Sequence, residues 1–276
     1  SARVLARAWR EQRPHIVHVA TEGPLGASAI RAARSLQLPI SSSYHTNFDD
    51  YAAHYAVGPL RGLVAGWLKH FHNRTQLTMV PSSDLIARLS QAGYRNLALF
   101  PRGVDIERFH PKHRDAELRR SWGAHPDSLV CLVVGRVAPE KNLNLALRTW
   151  EVIRCQHPDA RMVVVGDGPL RAHLAATWPE AVFTGAISTA DLVRAYASAD
   201  MFLFPSQSET FGNVLLEAMA SGLPTVAFDY AAARAHLSHG VNGVSVTLGD
   251  ETAWMAETVA LANDAIRRAR LGLRAR

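Results

Sequence analysis

Short apolar runs alternate with segments whose apolar residues recur every three or four positions along almost the whole chain. Residues 15–20 (HIVHVA) predict a strand, 25–36 a helix, and 40–44 a second strand that ends at His45-Thr46-Asn47. A helical pattern over 48–72 is interrupted at Gly58-Pro59. A strand over 77–80, a helix capped by Ser82 or Ser83 that ends near Gly93, and a strand over 97–100 complete a first run. Pro101-Arg102-Gly103-Val104-Asp105 is turn-rich, and residues 109–124 are rich in proline, histidine and charge, so the boundary is placed between domains 1–106 and 107–276. The alternation then restarts, with strands over 129–134, 162–165, 182–184, 201–204, 225–228 and 243–246 and helices over 142–156, 168–177 and 191–198 among them. These strands are apolar without alternation and are separated by helices, which predicts parallel sheets covered on both faces. The expected fold is therefore α/β, with two doubly wound, Rossmann-like domains.

The stretch Phe204 to Val226 (FPSQSETFGNVLLEAMASGLPTV) concentrates the chemistry. An apolar strand stops at Pro205, a polar loop carries Glu209, and a helix opens near Gly212-Asn213 with Asn213 as its expected N-cap. Gly222 and Pro224 then end the helix in the usual order. A helix N-terminus after a strand offers unpaired N–H groups and a positive dipole end, which suit phosphate oxygens. Parallel sheets bind ligands beyond the carboxyl ends of their strands, and two other strand ends add groups there. Gly135-Arg136-Val137-Ala138-Pro139-Glu140-Lys141 brings two cations, and Gly166-Asp167-Gly168-Pro169 brings a tight turn that lets backbone approach a ligand closely. Each feature alone reads as an ordinary turn or a solvated side chain. Their recurrence at strand ends is what points to a nucleotide-sugar site.

Paired carboxylates also suggest a glycosidase, whose two acids sit about 5 to 9.5 Å apart. Eight residues of helix separate Glu209 from Glu217 by on the order of 12 Å, which suits gripping two ends of a ligand rather than cutting a bond between them. His70, His72, His110 and His113 have spacings that invite a metal, but no cysteine or carboxylate pattern joins them, and they read as solvated or core residues.

Composition narrows the remaining classes. The chain has 276 residues, 48% of them hydrophobic, and no apolar run approaching the ~20 residues that span a bilayer. Its arginine-rich start lacks the apolar core of a secretory signal, and two isolated cysteines, Cys131 and Cys155, fit a reducing, cytoplasmic compartment. A net charge of +6 favours anionic partners, but no aromatic–basic interleaving supports nucleic acid. The densest basic cluster, Arg267, Arg268, Arg270, Arg274 and Arg276, reads first as a solvated helix face and second as a patch for an anionic membrane.

VGRVAPEKN, VVVGDGPLR, FPSQSETFGNVLLEAMASGLPTVAFD and PRGVD resemble the retaining family-4 glycosyltransferases of the GT-B fold, and Glu209 and Glu217 match the E-x7-E motif of that family. VHVATEGPLG, SSYHTNFDDYAAHY and FHNRT look closest to the bacterial GDP-mannose-dependent α-mannosyltransferases. The resemblance implies transfer of a hexose, mannose from GDP-mannose first, to a lipid or glycan acceptor, with UDP-sugar transfer (glucosyl, sulfoquinovosyl or N-acetylglucosaminyl) or a non-catalytic nucleotide-sugar-binding fragment as alternatives. It assigns Arg136 and Lys141 to the donor diphosphate, Glu209 to the sugar hydroxyls, Glu217 to the ribose, and His45 to the transferred sugar. Gly135, Gly166, Gly168, Phe211, Gly212, Asn213 and Val214 would line the donor. No metal or cofactor is implied, since Arg136 and Lys141 would supply the charge a leaving diphosphate needs. Against the family pattern the first domain lacks its first strand and glycine-rich loop, and the end comes early, which implies a chain that binds donor but transfers poorly.

Overall fold

The computed structural model describes residues 1–44, 61–209 and 211–276, and the chain divides into two compact units, Ser1–Arg102 and Gly103–Arg276. The division falls four residues before the expected boundary because Val104 and Phe109 pack into the core of the second unit.

In the first unit, β1 (Val17–Val19), β2 (Ile40–Ser43), β3 (Leu77–Val80) and β4 (Leu97–Leu99) form a parallel sheet in the order β1-β2-β3-β4. Each step runs in the same direction, with Val17 opposite Ile40 and Ser42 opposite Thr78. Helix Pro24–Ser35 packs on β1 and β2, and helix Ala2–Glu11 packs on it in turn. Ile30, Ala33, Leu38, Ile40 and Phe71 form one core patch, and Tyr44, Leu68, Val80, Leu85 and Leu89 another. Ser82 caps helix Ser83–Gln91 by accepting from the Leu85 amide, as its position before the periodic stretch implied. β2 is buried throughout although three of its four residues are serines, so its side-chain hydroxyls must find partners inside the protein.

The second unit holds six parallel strands: β5 (Val130–Val134), β6 (Arg161–Val165), β7 (Val182–Gly185), β8 (Met201–Phe204), β9 (Thr225–Phe228) and β10 (Val244–Val246). Their order is β10-β9-β8-β5-β6-β7, so the winding reverses between β5 and β8. The core follows the two-residue period of a strand. Cys131 and Val133 join Met162, Val164, Met201 and Leu203 on one face, beneath helices Leu143–Arg154 and Glu251–Asn263. Val130, Leu132 and Val134 join Val163, Val165, Phe202 and Phe204 on the other, beneath helices Thr189–Ser198 and Asn213–Ala220. At the amino edge of the reversal Asp200 accepts from the Val130 amide (2.8 Å) and pairs with Arg119 (3.0 Å), which also donates to the Ser128 and Ser198 carbonyls. That network fixes β8 beside β5 from below.

The carboxyl edge is fixed by glycine. Gly135 donates its amide to Val165 O (2.9 Å), Val137 to Asp167 O (2.9 Å), and Leu170 to Val137 O (3.1 Å), so the loops after β5 and β6 are zipped together. Gly166 has φ +135°, and a Cβ there would stand 1.9 Å from the Gly135 carbonyl oxygen. At Gly168 a Cβ would stand 2.4 Å from Val137 O. Arg171 rather than Gly168 starts the next helix, because residues 168–170 are held in this turn. Gly166→Ala is expected to destabilise the second unit by about 3 kcal/mol or more, through strained backbone and a forced loop shift. Urea unfolding checks this, and a loss below about 1 kcal/mol would contradict it.

Candidate functional site

The winding reversal places the ends of β8, β5 and β6 side by side, so the three loops singled out by sequence become neighbours although β7 separates them in the chain. The Gln207 amide donates to Glu140 O (3.1 Å), which ties the loop after β8 to the loop after β5. Helix Asn213–Ala220 starts at this edge. Gly212 is its N-cap, in the left-handed region at φ 76° and ψ 48°, which corrects the expected Asn213 cap. The chain must turn sharply into the helix there, and only glycine takes that conformation cheaply: a Cβ would stand 2.8 Å from the Cβ of Ala232. Asn213 is therefore the first helical residue. Its Oδ1 is buried and has no hydrogen-bond partner among the described residues, and the first-turn amides of Asn213 and Val214 have no acceptor within the helix. Together they form a mouth lined by one acceptor and several donors.

Lys141 reaches across the reversal. Its Nζ lies 3.4 Å from both Ser206 Oγ and the Ser208 carbonyl and is ion-paired with Glu209. Both partners are largely buried, at 21% and 11% side-chain exposure. The cation expected on a diphosphate and the carboxylate expected on the sugar thus hold each other. Arg136 is about half exposed, with a guanidinium nitrogen 3.8 Å from Glu140 Oε1. Glu140 itself is buried, and its Oε2 has no partner among the described residues. Gly135 has φ +149° and open space where a Cβ would be, so the backbone beside the mouth is uncovered. Phe211 is buried with its ring edge-on to His236, 6.5 Å between centroids. His45 lies outside the described residues.

Glu217, one turn further along the helix, is oriented by a residue that sequence reading passed over. The Tyr196 hydroxyl donates to Glu217 Oε2 at 2.9 Å and lies 3.2 Å from the Val214 carbonyl. Tyr196 is fully buried, packed edge-on against Phe109 and Phe202. Burial pushes its phenol well above the usual range, so it remains a donor. Burial also raises the Glu217 carboxyl, and the Tyr196 hydrogen bond only partly opposes that. In sequence Tyr196 is one aromatic in a helical pattern, and nothing local distinguishes it from core. Its pairing with Glu217 exists only because β8 carries the chain from one helix to the next on the same face.

The Glycosyltransferase Family 4 profile matches residues 1–108, and the Glycosyl transferases group 1 profile matches residues 128–264. The chain belongs to this glycosyltransferase family. A GDP-mannose-dependent alpha-mannosyltransferase of Corynebacterium glutamicum is 36% identical over 241 residues, 87% of this chain and 57% of the relative. The Mycobacterium tuberculosis protein of the same name is 35% identical over 89% of this chain and 64% of its own length. The sulfoquinovosyl transferase SQD2 of Arabidopsis thaliana is 38% identical over 78% of this chain and 42% of the relative. The chain therefore spans less than two thirds of the length of each of these relatives. Among solved structures, Anabaena HepE in complex with UDP and glucose has a TM-score of 0.81 at 20% identity, covering 99% of this chain and 75% of that one. Sucrose-phosphate synthase from Thermosynechococcus elongatus has the same TM-score at 19% identity, over 99% and 71%. The fold of the family-4 glycosyltransferase chain is thus GT-B.

The raised Glu217 pKa has a measurable consequence. A carboxyl whose folded pKa exceeds its unfolded one is best tolerated when protonated, and that advantage is lost as pH rises through the raised value. Glu217→Gln removes the charge at nearly constant shape. It is expected to unfold at a higher temperature than wild type near pH 8, with the gap closing towards about pH 4, where the wild-type carboxyl is protonated too. A gap of equal size at both pH values in thermal unfolding would contradict the burial account.

Proposed function

We propose that the protein is the donor-binding core of a retaining glycosyltransferase that moves mannose from GDP-mannose to a lipid or glycan acceptor at the cytoplasmic membrane face. The observation that carries this reading is the Lys141–Glu209 pair set beside the Gly212–Val214 helix mouth at the winding reversal. In the transfer, the acceptor hydroxyl oxygen bonds to the sugar C1, the C1–O bond to the diphosphate breaks, and the hydroxyl proton passes to a leaving phosphate oxygen. Negative charge builds on that phosphate, and Arg136 and Lys141 with the free helix amides are the groups in place to meet it. We assign this charge to the two side chains and invoke no metal or other cofactor. Lys141 has three donors, so it can hold Glu209 and a phosphate oxygen together, while Glu209 keeps an oxygen for a sugar hydroxyl. Asn213 Oδ1, buried and without a partner among the described residues, would take a further hydroxyl, and Glu217, held by Tyr196, the ribose.

GDP-mannose is favoured by the mannosyltransferase relatives. The second reading, a UDP-sugar donor, is supported by the sulfoquinovosyl transferase relative and the UDP-bound HepE neighbour. Membrane contact belongs to the same proposal and is supported by helix Ala265–Ala275, where Ile266 (84% exposed) and Leu273 (83%) share the surface with Arg270 and Arg274. Cosedimentation with anionic vesicles, lost at high salt, is the expected behaviour, and equal binding to neutral vesicles would count against it.

Lys141→Ala and Glu209→Ala are each expected to lower turnover by about 100-fold or more, the range for removing a group that meets developing charge. Activity and donor affinity unchanged in both variants would refute the site assignment. A thermal-shift series with GDP, UDP and their sugars separates the two donor readings, because only a ligand of the folded state raises the midpoint. A shift with guanine nucleotides alone supports GDP-mannose, and one with uridine nucleotides alone the second reading.

A further inference from the structure

The first unit contains a buried chain of polar side chains that the donor site does not use. It runs from Thr78 and Thr75 through Ser42 and His72 to Glu22. Ser42 Oγ lies 3.1 Å from Thr75 Oγ1, 3.2 Å from Thr78 Oγ1 and 2.9 Å from His72 Nδ1. His72 Nε2 lies 3.2 Å from Glu22 Oε1. Ser42, Thr78 and His72 are all 0% exposed, and the Glu22 side chain is 11% exposed. A carboxylate only accepts, so Nε2 carries the proton towards Glu22 and, in the neutral ring, Nδ1 accepts from the serine. The order Ser–His–Glu is that of a nucleophilic triad, but Ser42 is sealed inside a strand and no substrate reaches it, so a hydrolase reading fails. The network instead has an open end, the carboxylate.

Glu22 stands three residues past β1, at the carboxyl edge of the first sheet, where open parallel sheets take their ligands. Only one of its oxygens is engaged among the described residues, by His72. Trp67 donates its Nε1 to the Glu22 main-chain carbonyl at 3.3 Å, and this bond ties the indole to the backbone of the residue that carries the carboxylate, with 46% of Trp67 exposed. Leu25 (71% exposed) on the adjoining helix and Leu63 (72%), one turn before Trp67, leave further apolar surface uncovered. A flat apolar ring bonded to the backbone of a residue whose carboxylate is fixed and hydroxyl-accepting supplies the two halves that a pyranose or polyol demands: a surface for its C–H face and an acceptor for its hydroxyls.

We propose that Glu22, held in place by His72 and bonded at its main-chain carbonyl by the Trp67 indole, binds a hydroxyl of a sugar-like acceptor on the first unit. This rests on the glycosyl-transfer reading above. Glu22 is the ligand-contacting group, and His72 is a positioning residue that acts through it.

The test uses the full-length polypeptide with octyl α-mannoside as the acceptor probe and the nucleotide sugar that gives the largest thermal shift. Glu22→Gln is expected to raise the acceptor KM at least tenfold, with the donor KM and the acceptor-independent hydrolysis of donor within twofold of wild type. Trp67→Ala is expected to change the same constant by a smaller factor. His72→Gln, if it folds, is expected to follow Glu22→Gln in acceptor KM. An unchanged acceptor KM in Glu22→Gln would overturn the proposal, as would an equal loss of donor affinity. So would a wild-type enzyme that hydrolyses the nucleotide sugar yet neither uses nor binds octyl α-mannoside. If wild type releases nucleotide from no sugar donor, the glycosyl-transfer reading fails first and separately.

Discussion

Two backbones pass too close for any side chain at the carboxyl edge of the second sheet, and the rest of the site depends on that approach. With Gly166 against the Gly135 carbonyl and Gly168 against Val137, the loops after β5 and β6 act as one rigid ledge. The ledge sets the direction in which Arg136 leaves β5 and the point from which Lys141 crosses to the loop after β8. Bulk at either glycine would push the loops apart and move both cations. Glycine is needed here for close approach and, at Gly166 and Gly212, also for positive φ, so backbone entropy lost on folding is exchanged for placement.

Charge is the second organising constraint. Two cations share the edge with Glu140, Glu209 and Glu217, so the site does not present bare positive charge to solvent. Lys141 and Glu209 restrain one another in a largely buried setting, where unpaired ions would be costly. A phosphate entering such a site meets a lysine already positioned, and reorganisation on binding is small. The cost falls on Glu217, whose carboxyl is kept in a poorly solvated place by helix packing and steadied by one phenol. In the first unit the solution differs. A buried histidine and three hydroxyl residues satisfy one another and leave a single carboxylate pointing out of the network.

The sequence by itself determined the α/β class, nearly every strand, and the three loops that meet at the winding reversal. It could do so because buried parallel strands are uninterrupted apolar runs such as Val130–Val134, and because glycines, prolines and caps mark where they stop. Tertiary structure decided what those loops do to one another. No local rule says that β8 lies beside β5 rather than beside β7, and only that order joins Lys141 to Glu209 and Gln207 to Glu140. Asn213 reads as a cap from its residue type, yet the left-handed turn at Gly212 moves the cap back by one. His72 reads as a solvated or core residue and Tyr196 passes unremarked within a helical pattern, and both are core. The Tyr196 hydroxyl and the His72 Nε2 acquire direction only from partners 21 and 50 residues away in the chain, Glu217 and Glu22, because a hydrogen bond is set by distance in space and a sequence pattern records distance along the chain.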